Sequence, residues 1–196
     1  MRIPFLLKTY PATFGLCIIQ LFIFFLIQSH PTVQKTIIDY GVAFPKWILD
    51  GEIWRIATAI FIQADFSHFF YNMVILLLLG TFLETYIPPM RVVLIFLASG
   101  VLSNSILLLH TQAEFVHFGS SCAISGLLGM LLTLILLRKI PLPLYTIPAL
   151  VVGIACLFIN ACLSFHVNAF GHLCGLLGGF ILGFLPKSIK KPQNLD

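Results

Sequence analysis

Apolar runs about as long as a bilayer core requires, roughly 17–25 residues, alternate along this chain with short clusters of charge. They fall at approximately 11–29, 58–84, 90–110, 121–138, 146–163 and 169–186, and each predicts a membrane helix. The longest polar stretch, 30–57, lies between the first two and carries Lys35, Asp39, Lys46, Asp50, Glu52 and Arg55 beside Pro31, Pro45, Trp47 and Trp54. Tryptophans and proline breaks in such a stretch point to a loop lying in the membrane interface rather than to a separate soluble domain. Pro88-Pro89 and Ile140-Pro141-Leu142-Pro143 mark tight connections, and the tail from Lys187 to Asp196 is short and polar. The expectation is one all-α polytopic membrane domain over 1–196, a six-helix bundle with an interfacial first loop.

Composition agrees with a membrane solvent: 59% of residues are hydrophobic and only 9% charged, with a mean hydropathy of +1.04, far from an ordinary water-soluble domain. The net charge of +4 is small and its basic residues are dispersed at segment ends, so no nucleic-acid partner is expected. Cys17, Cys122, Cys156, Cys162 and Cys174 sit in or beside apolar segments without CxxC spacing and read as small buried hydrophobes. Arg2 and Lys8 before an apolar run imitate a signal peptide, but no small-residue cleavage site follows, so the run reads as the first membrane helix.

Positive loops are retained in the cytoplasm, which sets orientation. With the N-terminus inside, the inner set is Arg2, Lys8, Arg91, Arg138, Lys139, Lys187, Lys190 and Lys191, against Lys35, Lys46 and Arg55 outside. Both termini are therefore expected in the cytoplasm, and the starts of segments two, four and six share the outer side.

Those starts carry His68 and Asn72, Ser121, and His172. Ionisable and polar groups at membrane depth are costly unless partnered or wet, which makes each a functional candidate. Ser121 stands at the mouth of the fourth segment, where unpaired N–H groups and the helix dipole favour an oxyanion; a helix cap is the plainer reading of that serine alone. Gly171, Gly175, Gly179 and Gly183 recur every four residues in the sixth segment. His172 points within about 20° of Gly179 and Gly183, on that glycine stripe. A glycine stripe admits a second helix closely, and the fourth segment, with Gly126 and Gly129, is the natural partner. A serine and a histidine so juxtaposed form a nucleophile and general base. His68 and Asn72, four apart on one face, suit either an oxyanion-binding pair or an interhelical hydrogen-bonded pair.

These features together resemble the rhomboid family over most of the chain and in the family's order. Its Trp-Arg is matched by Trp54-Arg55, its His-x-x-x-Asn by His68 and Asn72, and its Gly-x-x-x-Glu by Gly80 and Glu84. Its nucleophile motif aligns with Gly119-Ser120-Ser121-Cys122, followed by Gly126 and Gly129, and its base histidine and glycines with His172, Gly175 and Gly179. Cys122 stands where the family has glycine, Gln63 where a histidine is common, and Ser125 where an aromatic residue often stacks on the base. The resemblance implies an intramembrane serine endopeptidase with Ser121 as nucleophile and His172 as base. It further implies that His68, Asn72 and the Ser121 N–H hold the oxyanion. The implied substrate is a transmembrane protein in the lipid bilayer, cut near the outer end of a helix with small or turn-forming residues, entering near the second and fifth helices. A bacterial cytoplasmic membrane is the implied location.

No cofactor or metal is expected. His68, His117, His166 and His172 could be imagined around a metal, but there is no HExxH and no Gly-x-Gly-Asp. Internal repeats or paired interrupted helices, the marks of a transporter, are not evident. The competing class is a rhomboid-like protein that binds or escorts membrane helices without cutting, for which loss of the serine or histidine is the usual mark; both are present here. His30, His110, His117 and His166, all in loops or at helix ends, read as interfacial or solvated side chains.

Overall fold

The computed structural model describes residues 7–63, 65–110, 116–140 and 169–185, with the isolated positions 147 and 151. The helices are α1 Pro11–Ser29, α2 Pro31–Gly41, α3 Pro45–Leu49, α4 Arg55–Thr58, α5 Phe66–Tyr86, α6 Pro89–His110, α7 Ser121–Leu136 and α8 Ala169–Leu182. Residues Pro11–Ser29, Phe66–Tyr86 and Pro89–Leu109 are long and apolar enough to cross a membrane, and α7 and α8 are shorter apolar helices. Ile18, Phe22 and Phe25 of α1 are each more than half exposed, so the outward face is as apolar as the inner one. That is the signature of helices solvated by lipid, and the chain is an all-α polytopic membrane protein. The expected fifth segment, 146–163, lies almost wholly outside the described residues.

Two expectations are corrected. The stretch 30–57, expected as a loop between the first two segments, is folded mostly into the short helices α2 and α3 and the start of α4, each of the first two opened by a proline at its first turn. The second apolar segment does not run unbroken from 58. A 3-10 turn at Ala59–Phe61 ends at extended Ile62, and α5 starts only after Asp65, whose carboxylate accepts from the His68 N–H at 2.8 Å. Capping by Asp65 restarts the helix where the hydropathy profile continues.

Arg55, 2% exposed, organises the short helices. It donates to Glu52 Oε2 at 2.6 Å, to the Asp39 carbonyl at 2.7 Å and to the Val42 carbonyl at 3.1 Å, with its guanidinium 4.4 Å from the Trp47 ring centroid. Three directions at once suit a planar fork and not an ammonium. Trp54 Nε1 donates to the Tyr40 carbonyl at 3.1 Å.

The helix α7 is the centre of the bundle: 13 of its 16 residues are buried. Its Ile124, Leu127 and Leu131 pack with Leu76 and Leu83 of α5 and Phe96 of α6 in one core. Against its other side lies α8, its most extensive neighbour. A Cβ on Gly175 would overlap the Cys122 carbonyl, one on Gly179 the Gly126 carbonyl, and one on Gly129 the Leu176 carbonyl, so the two backbones touch. The Ser103 hydroxyl donates to the Gly171 carbonyl at 2.8 Å and Thr133 to the Phe180 carbonyl at 2.7 Å, which fixes α8 lengthwise.

Glu84 and Gly80 join α5 to α1. No side chain of its own caps α1. Instead Glu84 accepts from the Ala12 and Thr13 N–H groups, each at 2.9 Å, and from the Thr13 hydroxyl at 2.7 Å. A carboxylate there meets both the orphan donors and the positive end of the helix dipole. Gly80 makes room, since a Cβ on it would lie 2.6 Å from Thr13 Oγ1. Replacing Glu84 by Ala leaves three buried donors unpaired, and unfolding in detergent micelles should show a loss of about 2–4 kcal/mol, with Glu84→Gln losing less than half of that.

Candidate active site

The turn before α7 is built around Gly119, whose φ of +113° lies in the left-handed region. Its N–H donates to the Ala59 carbonyl at 2.9 Å. A Cβ there would also stand 2.9 Å from His68 Cε1, so glycine is required twice, once by the backbone and once by the imidazole lying over it. The preceding strand-like residue, His117, exchanges two backbone hydrogen bonds with Ala43, at 2.8 and 2.9 Å. The turn is therefore fastened to the short-helix region on one side and to α5 on the other.

This geometry separates the two serines. Ser120 is the N-cap residue, and its Oγ accepts from Gln63 Nε2 at 2.9 Å instead of capping the helix. Ser121 is the first residue of α7, and its Oγ lies 2.8 Å from His172 Nε2. With Nε2 unprotonated the hydroxyl donates to it, which is the arrangement a general base needs. Ser125, one turn on, donates to the Ser121 carbonyl at 2.9 Å. His172 is brought to this point by the close contact of α8 with α7 described above, in which Gly126, Gly175 and Gly179 take part.

From α5, His68 lies against the same turn, and Asn72 is joined to it through Gln63, which bonds Ser120. His68 is half-buried against Gly119. Asn72, 2% exposed, donates one Nδ2 hydrogen to Gln63 Oε1 at 2.8 Å. Its other Nδ2 hydrogen is not used by Gln63. Cys122 turns its thiol toward α8 and the preceding turn: it is in contact with the Gly171 position and lies 3.7 Å from His117 Nε2.

Gln20 of α1, not singled out by the sequence, is fully buried and accepts from Gln63 Nε2 at 2.9 Å. Its signal was present as a lone amide in the middle of an apolar membrane helix. Ser103 and Thr133 gave no such signal, because hydroxyls are common in membrane helices. Among the described residues no group of three or more histidine, cysteine, aspartate or glutamate side chains is arranged to hold a metal ion. His166, named with His68, His117 and His172 in the metal alternative, lies outside the described residues.

Outside the membrane-spanning helices, two ionisable groups near the turn are displaced from their ordinary values. Burial pulls His117 down to about 4, and the neighbouring His172 and His68 add to the effect. Burial raises Asp65, but its hydrogen bonds from Ser67 and from the His68 N–H, together with the His68 charge, hold the carboxyl below its usual value.

The rhomboid-domain family model matches residues 50–188, more than half of the chain. Among curated proteins, the chain is 28% identical to the "Putative rhomboid protease YdcA" of Bacillus subtilis (strain 168), over 91% of this chain and 90% of that one. It is 31% identical to RHOMBOID-like protein 5 of Arabidopsis thaliana, over 80% of this chain and 50% of that one. To rhomboid protease GluP of Bacillus subtilis (strain 168) it is 30% identical, over 83% of this chain and 32% of that one. The chain thus spans nearly all of the first relative and half or less of the other two.

The His117 displacement has a definite sign. An imidazole held to about 4 in the folded protein takes up its proton more readily when unfolded, near 6.5, so the unfolded state binds more protons between those values. Its contribution is fully present above about pH 6.5 and lost as pH falls toward 4. The thermal midpoint in micelles should fall between pH 7 and pH 5, and His117→Phe should flatten that slope.

Proposed function

The chain belongs to the rhomboid family, and from that premise we propose that it is an intramembrane serine endopeptidase working through a Ser121–His172 dyad. The observation that carries this reading is the 2.8 Å contact between Ser121 Oγ and His172 Nε2 at the start of two touching helices. Ser121 attacks the scissile carbonyl carbon of a transmembrane substrate while His172 Nε2 takes the hydroxyl proton. The tetrahedral oxyanion is received by the Ser121 N–H, which as a first-turn donor has no partner within its own helix, by the Asn72 Nδ2 hydrogen that Gln63 does not take and by His68. His172 then gives its proton to the leaving amine, and water, deprotonated by the same imidazole, releases the acyl group from Ser121.

The whole chain, 1–196, serves as one multi-pass domain in a bacterial cytoplasmic membrane, with both termini in the cytoplasm and the site toward the outer side. Substrates are single-pass proteins cut near the outer end of a helix rich in small or turn-forming residues. The lysine and arginine distribution supports the orientation.

Purified protein in proteoliposomes, offered a model transmembrane substrate, should cut it, and Ser121→Ala and His172→Ala should each lower the rate at least 1,000-fold, in line with the ~10³–10⁶ losses seen when a nucleophile or its base is removed. Equal cleavage by all three proteins would reject the dyad. A wild type that leaves every substrate intact while still binding it would assign the chain to non-cleaving helix binding.

A further inference from the structure

Gln63 is 0% exposed and joins three elements through one amide. Its two Nε2 hydrogens go to Gln20 Oε1 on α1 and to Ser120 Oγ at the mouth of α7, both at 2.9 Å. Its Oε1 accepts from Asn72 Nδ2 on α5 at 2.8 Å. With both hydrogens committed, the amide presents its oxygen to Asn72, and Asn72 must answer with nitrogen. One residue thereby sets the distance and the orientation between Asn72 and the turn that carries Ser121.

Gln20 makes this arrangement costly in isolation. It is fully buried in an apolar helix, and among the described residues its Nε2 has no hydrogen-bond partner. An unpaired buried amide nitrogen is destabilising, whereas a leucine or methionine would fill the same space without that cost. What the side chain supplies is an acceptor for Gln63, which holds the Gln63 amide in its present sense.

We propose that Gln63, backed by Gln20, is a positioning residue that fixes the Asn72 amide so that its second N–H faces the oxyanion formed on Ser121. This rests on the proteolytic reading above. Gln63 touches neither substrate nor the reacting atoms; held by Gln20 and Ser120, it acts through Asn72. A free asparagine could turn its carbonyl oxygen to the oxyanion and repel it, and the relay of amides from α1 prevents that rotation.

The test is a cleavage cycle with full-length protein in proteoliposomes and a model transmembrane substrate. Asn72→Ala removes an oxyanion donor and should lower kcat about 100-fold. Gln63→Met keeps the volume, loses the amide, and should lower kcat about tenfold with KM unchanged, since a loosened donor retains part of its effect. The double variant should equal Asn72→Ala alone, because Gln63 has nothing left to position. Losses that multiply, or a Gln63→Met effect confined to KM, would overturn the positioning role while the proteolytic reading stands. Failure of the wild type to cleave would overturn that reading, and the catalytic part of this proposal with it.

A second measurement needs no activity and covers a variant that folds poorly. In asparagine-labelled protein, the Asn72 side-chain N–H of the wild type should exchange slowly with solvent, and Gln63→Met and Gln20→Met should each speed that exchange. Unchanged exchange in both variants would remove the relay itself.

Discussion

Contact between the backbones of α7 and α8 is the constraint from which the site's geometry follows. In a bilayer no hydrophobic force draws two helices together, because lipid tails are as apolar as leucine; close packing and hydrogen bonds must do it. Gly126, Gly129, Gly175 and Gly179 remove the side chains that would hold the helices apart. Ser103 and Thr133 then bond to α8 carbonyls near its two ends, so the helix cannot slide. Only at that separation does a histidine at the fourth position of α8 reach a serine at the first position of α7. The Ser121–His172 distance is a property of the glycines a turn or two below it as much as of the two residues themselves.

The second support of the site comes from outside the bundle. The Ala43–His117 backbone pair and the Gly119–Ala59 hydrogen bond tie the turn carrying Ser121 to the region from α2 to the 3-10 turn. That region is itself held by the buried Arg55, which gathers Asp39, Val42, Glu52 and Trp47 around one guanidinium. A motif residue some distance from Ser121 in sequence is therefore joined to its turn through backbone contacts. Among the described residues, the buried Gln20, Arg55, Gln63, Glu84, Ser103 and Thr133, unusual at membrane depth, take part in such long-range fastening.

Much of this was legible in the sequence because the bilayer imposes a simple rule. The three described helices long enough to span, and the shorter apolar α7 and α8, each coincide with an expected apolar segment, α1 at both ends and α7 and α8 at their starts. The face of α8 carrying His172 was legible from the four-residue glycine spacing. What the pattern could not reveal were partners distant in sequence: Glu84 with Ala12 and Thr13, or Gln63 with Gln20 and Ser120. Nothing local encodes such pairs. The restart at Asp65 was hidden for another reason, since Ile60, Phe61 and Ile62 extend the apolar run through a break in the helix, and hydropathy counts residues without seeing φ and ψ. The helices within 30–57 were hidden because prolines that open helices look the same, by composition, as prolines that break them.

The carboxylate that caps α1 belongs to a residue about seventy positions later, and this has a bearing on how the protein is made. Synthesis runs from the N-terminus, so α1 is offered to the bilayer before Glu84 exists. Until α5 follows, the free donors at the start of α1 need water or lipid headgroups, which keeps that end at the membrane surface. Docking of Glu84 replaces those partners and lets the end of α1 settle against Gly80. Assembly of this bundle thus has a built-in order, in which α1 is made before α5 but capped only once α5 has arrived.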